Sequence, residues 1–190
     1  MLALIACHGL AGTPGLRAQG RPVPNGRVES GTLSFDGHAT VGDFAGTTKV
    51  VSGQITGGAD ISAVRGWVEA PVRTITTGNG KRDKDLNKSM ESSKYPTIRF
   101  ELSGISPRGG TPDSVAAMLH GALVIHGVTR KVDLPGTVQF EGPKARVQSD
   151  FPLRLKDYRI GGLSKMLGVL KMYDDIEVHV DLVFDFDRRN

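Results

Sequence analysis

An all-β fold, an antiparallel β-barrel of about eight strands with one or two short helices, is what this 190-residue sequence predicts. Three observations lead there. Period-two alternation of apolar and polar residues recurs along most of the chain, which marks strands with one apolar and one wet face. Glycine is abundant, at 25 residues, and punctuates these segments with turns. Only two stretches carry a helical period, and closing the sheet would remove its vulnerable edges.

The elements follow in order from near Val28. "VESGTLSF" sets Leu33 and Phe35 on one face, and "VRGWVEAPVRTI" sets Val64, Val68, Ala70 and Val72 against Arg65, Glu69 and Arg73. "TIRFELSGI" opposes Ile98, Phe100 and Leu102 to Arg99 and Glu101, and "LHGALVIHG" groups Leu119, Leu123 and Ile125. "RKVDLPGTVQF" offers Val132, Leu134, Val138 and Phe140; "ARVQSDFPLRLKD" offers Val147, Phe151, Leu153 and Leu155. The clearest strand, "IEVHVDLVFDF", places Ile176, Val178, Val180, Leu182, Phe184 and Phe186 opposite Glu177, His179, Asp181 and Asp185. Turns are expected at "TGG" (56–58), "PRGGTP" (107–112), "HGVTR" (126–130) and "EGP" (141–143).

Residues 80–92 read as a helix with Leu86 and Met90 as its buried stripe, and 162–172 as a second with Leu163, Met166, Leu167 and Leu170 on one face. Asp83 near the start of the first helix and Lys88 on a later turn complement its dipole, and Tyr95-Pro96 ends it. An eight-stranded barrel is just wide enough to be filled by side chains or to hold one small ligand. The small inward residues Gly66, Val68, Ala70, Val72 and Gly121 underfill it. Two outcomes stand open: a sheet squeezed into a packed sandwich, or an elongated apolar cavity for a greasy ligand.

Composition narrows the functional classes. Net charge is +4, but the basic residues are scattered among acidic ones and aromatics make up only 6%, which argues against nucleic-acid binding. The single Cys7 excludes an intramolecular disulfide and zinc sites built on two or more cysteines. Asp83-x-Asp85-x-Asn87 begins like a calcium loop, but Lys88 and Lys94 occupy the positions that require Gly and Glu. His8, His38, His120, His126 and His179 lack zinc-ligand spacing, so no metal site is expected. No G-x-S-x-G elbow or P-loop occurs, and no catalytic residue is assigned.

Residues 1–27 read as a leader and linker, with cleavage after Ala11 or Ala18, and the barrel domain as 28–187. "LIAC" (4–7) resembles a lipoprotein box, through which Cys7 would carry a lipid anchor. The expected location is periplasmic or secreted.

Five segments in order carry a family resemblance: "LSFDGHATVGDFAGTTKVVSGQI" (33–55), "APVRTITTGNGKRDKDLNKSMESSKYPTIRFELSGI" (70–105), "HGALVIHGVTRKVDLP" (120–135), "FPLRLKDYRIGG" (151–162) and the closing strand. The most specific features are the Asn79–Arg82–Asp83–Leu86 spacing ending in Tyr95-Pro-x-Ile-x-Phe100, and Leu123-x-Ile-His-Gly-Val-Thr129. Together they resemble the YceI-like family of secreted, lipocalin-like barrels that bind polyisoprenoids or other long-chain amphiphiles. That resemblance implies an extended barrel around an apolar channel, with no catalytic residues and no cofactor. Its ligand would be an isoprenoid quinone, a polyprenol or a fatty amide. The channel would be lined by Leu33, Phe35, Val68, Ala70, Val72, Phe100, Leu102, Leu123, Ile125, Phe151, Leu153, Val178, Val180 and Leu182. His38, Asn79, Arg82 and Asp83 would stand at its mouth or against the ligand head group; for Arg82 and Asp83 the competing reading is an ion pair or helix cap holding the hairpin. "NKSMESSKYP" departs from a stretch that more usually carries aromatic residues before the Tyr-Pro. Transient membrane-surface contact and a homodimer are compatible with these features. An enzyme acting on a lipid head group and an outer-membrane barrel are the alternatives.

Overall fold

The computed structural model describes residues 20–40, 42–161 and 172–186. Strands β1 (Gly26–Ala39), β2 (Gly42–Thr48), β3 (Ser52–Thr56), β4 (Arg65–Pro71), β5 (Thr97–Thr111), β6 (Ser114–Ile125), β7 (Val128–Glu141), β8 (Lys144–Arg154) and β9 (Met172–Phe186) form one antiparallel sheet. β1 pairs with both β3 and β9, so β1, β3, β4, β5, β6, β7, β8 and β9 close an eight-stranded barrel, and β2 lies outside the ring as an extra strand on β1. Among the described residues there is a single α-helix, α1 (Gly80–Ser89). The closed barrel anticipated from alternation is therefore the fold.

Several elements differ from expectation, each for a local reason. β2 and β3 are rich in Gly, Thr and Ser, so their alternation carries no apolar signal. Residues 107–111 belong to β5 rather than to a turn. A register shift between Pro107 and Gly109 absorbs the proline, and the chain reverses only at Pro112–Asp113. Val72 does not extend β4 but opens a 3₁₀ turn, Val72–Thr74. The helix stops at Ser89 instead of residue 92, with turns leading to Tyr95-Pro96. The second helical stretch, 162–172, lies outside the described residues except for Met172, which starts β9. The β6–β7 turn places His126 (φ 51°) and Gly127 (φ 72°) both in the left-handed region, as a two-residue hairpin turn requires.

The alternation points inward. Leu119, Leu123, Ile125, Val138, Phe151, Leu153, Val178 and Phe184 are all buried. The outer face carries charge: Arg99 pairs with Glu101, and Arg146 grips Asp181. A membrane-spanning barrel needs the reverse arrangement, an apolar outer band. Gly66 and Gly121, read as underfilling the interior, instead permit close approach. A Cβ at Gly66 would stand 2.3 Å from Gln54 O, and one at Gly121 would stand 2.3 Å from Glu101 O and 2.6 Å from the Phe100 ring.

His179 faces outward on β9 between carboxylates of both neighbouring strands: Nδ1 is 2.7 Å from Asp150 Oδ1 and Nε2 is 3.3 Å from Asp36 Oδ2. Only the imidazolium can donate to both. The hydrogen bond to Asp150, with Asp36 helping, accordingly raises the pKa above the ordinary histidine value. A raised folded-state pKa means that this clamp stabilises the barrel fully below the unfolded value near 6.5 and is lost as pH rises through the folded value. The difference in melting temperature between the native chain and His179→Gln is therefore expected to be largest near pH ~5 and to shrink towards pH ~8.5. Thermal scans across that window check it; a difference that grows with pH contradicts the clamp.

Candidate ligand channel

Register fixes the two ends of the barrel. At one end Gly26 faces Phe186, and at the other Ala39 faces Met172. At ~3.3 Å per residue and ~40° of tilt, the fourteen steps from Met172 to Phe186 span roughly 35 Å along the axis. A cavity of about 260 Å³ runs inside, with walls that reach from Val23, Phe140 and Phe186 at the first end to Phe44, Leu86 and Met172 at the second. Such a modest volume spread over that length makes a slender tube, and the alternative of a sandwich packed solid is not what the strands build.

Most residues expected in the lining do face this space. Leu33 and Phe35 reach it from β1, Val68 and Ala70 from β4, and Phe100 and Leu102 from β5. Leu123 and Ile125 do so from β6, Phe151 and Leu153 from β8, and Val178, Val180 and Leu182 from β9. Val72 is the exception. It is fully buried in the 3₁₀ turn outside the wall, because β4 ends one residue earlier.

The expected mouth group splits in the same way. Asn79 is the N-cap of α1, its Oδ1 accepting from the backbone N–H groups of Lys81 and Arg82, both at 3.1 Å. Asp83 accepts from Thr77 N at 2.8 Å, Thr77 Oγ1 at 2.6 Å and Thr76 Oγ1 at 2.9 Å. The Thr77 hydroxyl, followed by its backbone N–H, holds the carboxyl below the usual carboxylate range. Asn79 and Asp83 are thus structural: they fasten α1 to the loop after β4. His38 is exposed and bonds Asp43 across the β1–β2 hairpin at 2.8 Å, which raises its pKa; it does not reach the cavity.

Arg82 alone of the four lines the tube. Its guanidinium lies 4.4 Å over the ring of Phe44, which meets Phe35 edge-on at 6.1 Å. Arg82 and Asp85 are on the inner side of α1 beside Leu86, Ser89 and Met90; neither makes a salt bridge among the described residues, and the Arg82 charge adds a minor share to the lowering of the Asp83 carboxyl. This end therefore combines apolar walls with charge held in no salt bridge, whereas the other wall charge, Glu69, is neutralised by Arg99 at 3.0 Å. Sequence reasoning missed Phe44 and Val23. Phe44 is a lone apolar residue in "GHATVGDFAG", and Val23 sits in "GRPVPNG", which has the composition of a linker. The barrel in fact extends N-terminal of Val28 through β1 and Val23. Among the described residues no group of three or more His, Cys, Asp or Glu side chains could hold a metal ion.

An eight-stranded barrel with an apolar axial tube, capped at one end by a charged helix, defines an extended lipocalin-like barrel. A family model described as a YceI-like domain matches residues 28–184. The chain belongs to the YceI-like family. No curated protein matches it. Among solved structures, Burkholderia cenocepacia BcnA shares 20% identity over 80% of this chain and 95% of its own, with a TM-score of 0.69. A polyisoprenoid-binding domain from Saccharophagus degradans, implicated in plant cell wall breakdown, shares 15% identity over 87% of this chain and 99% of its own, with a TM-score of 0.73. The Campylobacter jejuni YceI protein shares 18% over 76% of this chain and 85% of its own, with a TM-score of 0.57. At these identities the likeness is one of fold.

Proposed function

We propose that this barrel is a periplasmic carrier or sequestering protein that holds one long-chain amphiphile, an isoprenoid such as a polyprenyl quinone, in its axial tube. The observation that carries this reading is the slender apolar channel whose α1 end presents the Arg82 guanidinium, which makes no salt bridge among the described residues. Burying a single hydrocarbon chain along such walls returns about 0.8 kcal/mol per CH₂. The Arg82 N–H groups would donate to a quinone, hydroxyl or amide oxygen at the mouth. Support for an isoprenoid in particular comes from the Saccharophagus degradans barrel, described as polyisoprenoid-binding. Binding rather than turnover suits the wall. Ser149 Oγ, a hydroxyl facing the lumen, is committed to Pro135 O at 2.6 Å. Export is inferred from the apolar leader "LALIACHGLA", and Cys7 lies outside the described residues.

Extraction of the protein purified from its own host should yield a prenyl lipid by mass spectrometry, and added quinone or prenol should raise the melting temperature. Repeated extraction of no lipid, with no shift on addition, would sink the proposal. Arg82→Ala is expected to fold normally and to lose roughly tenfold in affinity for a quinone, the value of a charge-assisted hydrogen bond. Titration calorimetry beside a circular dichroism spectrum checks this, and loss of the fold would instead make Arg82 a structural residue.

A further inference from the structure

We propose that the segment Gly20–Asn25 is the floor of the channel and that Val23 sets the length of lipid chain the barrel accepts, an inference that rests on the lipid-binding reading above. Val23 is 6% exposed and lines the cavity. Its backbone is locked to Gly58 by two hydrogen bonds, Val23 N–H to Gly58 O and Gly58 N–H to Val23 O, each 2.9 Å. Gly57 N–H donates to Asn25 Oδ1 at 2.9 Å. Two residues upstream of Val23, Arg21 reaches the other side: its guanidinium lies 5.3 Å over the Phe140 ring and 3.4 Å from Asp113.

These two attachments are opposite each other. Gly57 and Gly58 follow β3 and Phe140 belongs to β7, and four steps separate β3 from β7 in either direction around the eight-stranded ring. A segment tied to both spans the barrel end. Phe140 and Phe186, stacked with centroids 6.3 Å apart, complete the closure from the wall. The α1 end, with Arg82 and Asp85, is then the polar end of the tube, and a lipid enters tail-first until its terminus meets Val23. Head group and tail are thus read at separate places: Arg82 holds the former, and the strap limits the latter.

The glycine at position 57 offers a way to move the floor without touching the wall. A Cβ there would stand 1.9 Å from Val23 O and 2.5 Å from the Pro24 carbonyl carbon, both backbone atoms of the strap, while Gly57 itself is outside the lining. Gly57→Ala must therefore displace the strap, and Val23→Gly shortens its inward reach. The test is native mass spectrometry of the full chain and both variants with two graded series, prenols from farnesol to solanesol and saturated fatty amides of increasing length. The native chain is expected to show a length beyond which affinity falls. Both variants should shift that limit to longer chains, gaining at least about tenfold for the first chain the native protein excludes, since one more buried isoprene unit exceeds that value. Binding of short chains by Gly57→Ala, whose substituted residue lies outside the lining, should be unchanged. Profiles of the variants that superpose on the native profile overturn the floor assignment while leaving the carrier reading intact. Binding of amides but not prenols, with the limit still shifted, overturns the isoprenoid ligand and keeps the floor. If neither series binds the native chain, both fall together.

Discussion

Val68→Trp is expected to abolish retention of any long-chain lipid while leaving the barrel folded. Val68 faces the tube from β4, between Gly53 of β3 and Phe100 of β5 in the strand register. The lumen holds only about 260 Å³ over its whole length, so an indole placed there occupies the bore at one level. A single-file ligand cannot pass around a block as it could in a broad pocket. Stability should change little, because the added ring fills existing space instead of displacing packed atoms. Extraction of the variant should yield no lipid where the native chain yields one, and its melting temperature without ligand should stay within a few degrees of the native value. Undiminished lipid content in a well-folded Val68→Trp protein would mean that the ligand does not occupy the tube.

Gly121→Val should cost at least about 3 kcal/mol of stability, the severe end of overpacking effects. Here the atoms in the way cannot yield. A Cβ at Gly121 would lie 2.3 Å from the backbone oxygen of Glu101 and 2.6 Å from two atoms of the Phe100 ring. Phe100 lies across that glycine and lines the lumen beside it, so the side chain missing from β6 is supplied by β5. In a closed barrel β5 and β6 cannot separate without disturbing the ring. Urea unfolding compared with Ala122→Val on the opposite face checks this, and equal stabilities of the two variants would contradict it.

The opposite expectations for Val68 and Gly121 mark the limit of reading the interior from sequence. Both are small residues of inward parity and look alike in a pattern. Only the positions of neighbouring strands show that one borders open space and the other a filled contact. Legibility varied along the channel for the same reason. Thirteen of the fourteen lining expectations face the lumen, since alternation transmits directly into facing; the exception, Val72, falls where the backbone leaves the β conformation. The mouth was far less legible. Asn79, Arg82 and Asp83 are adjacent polar residues on one motif, but capping takes the first, the Thr76–Thr77 loop takes the third, and only Arg82 is directed to the lumen.

By itself the sequence determined the all-β class, the inward set of most strands, the charged connector as a helix, and the family. These follow from periodicity, turn chemistry and local spacing, which act within a few residues along the chain. Tertiary structure alone decided closure through the double pairing of β1, the open bore, the selection of Arg82 over its neighbours, and the recruitment of Val23 from a linker-like stretch to the barrel end. Each of these joins groups far apart in sequence, and the free space between strands depends on how eight of them tilt and stagger together, which no single segment specifies.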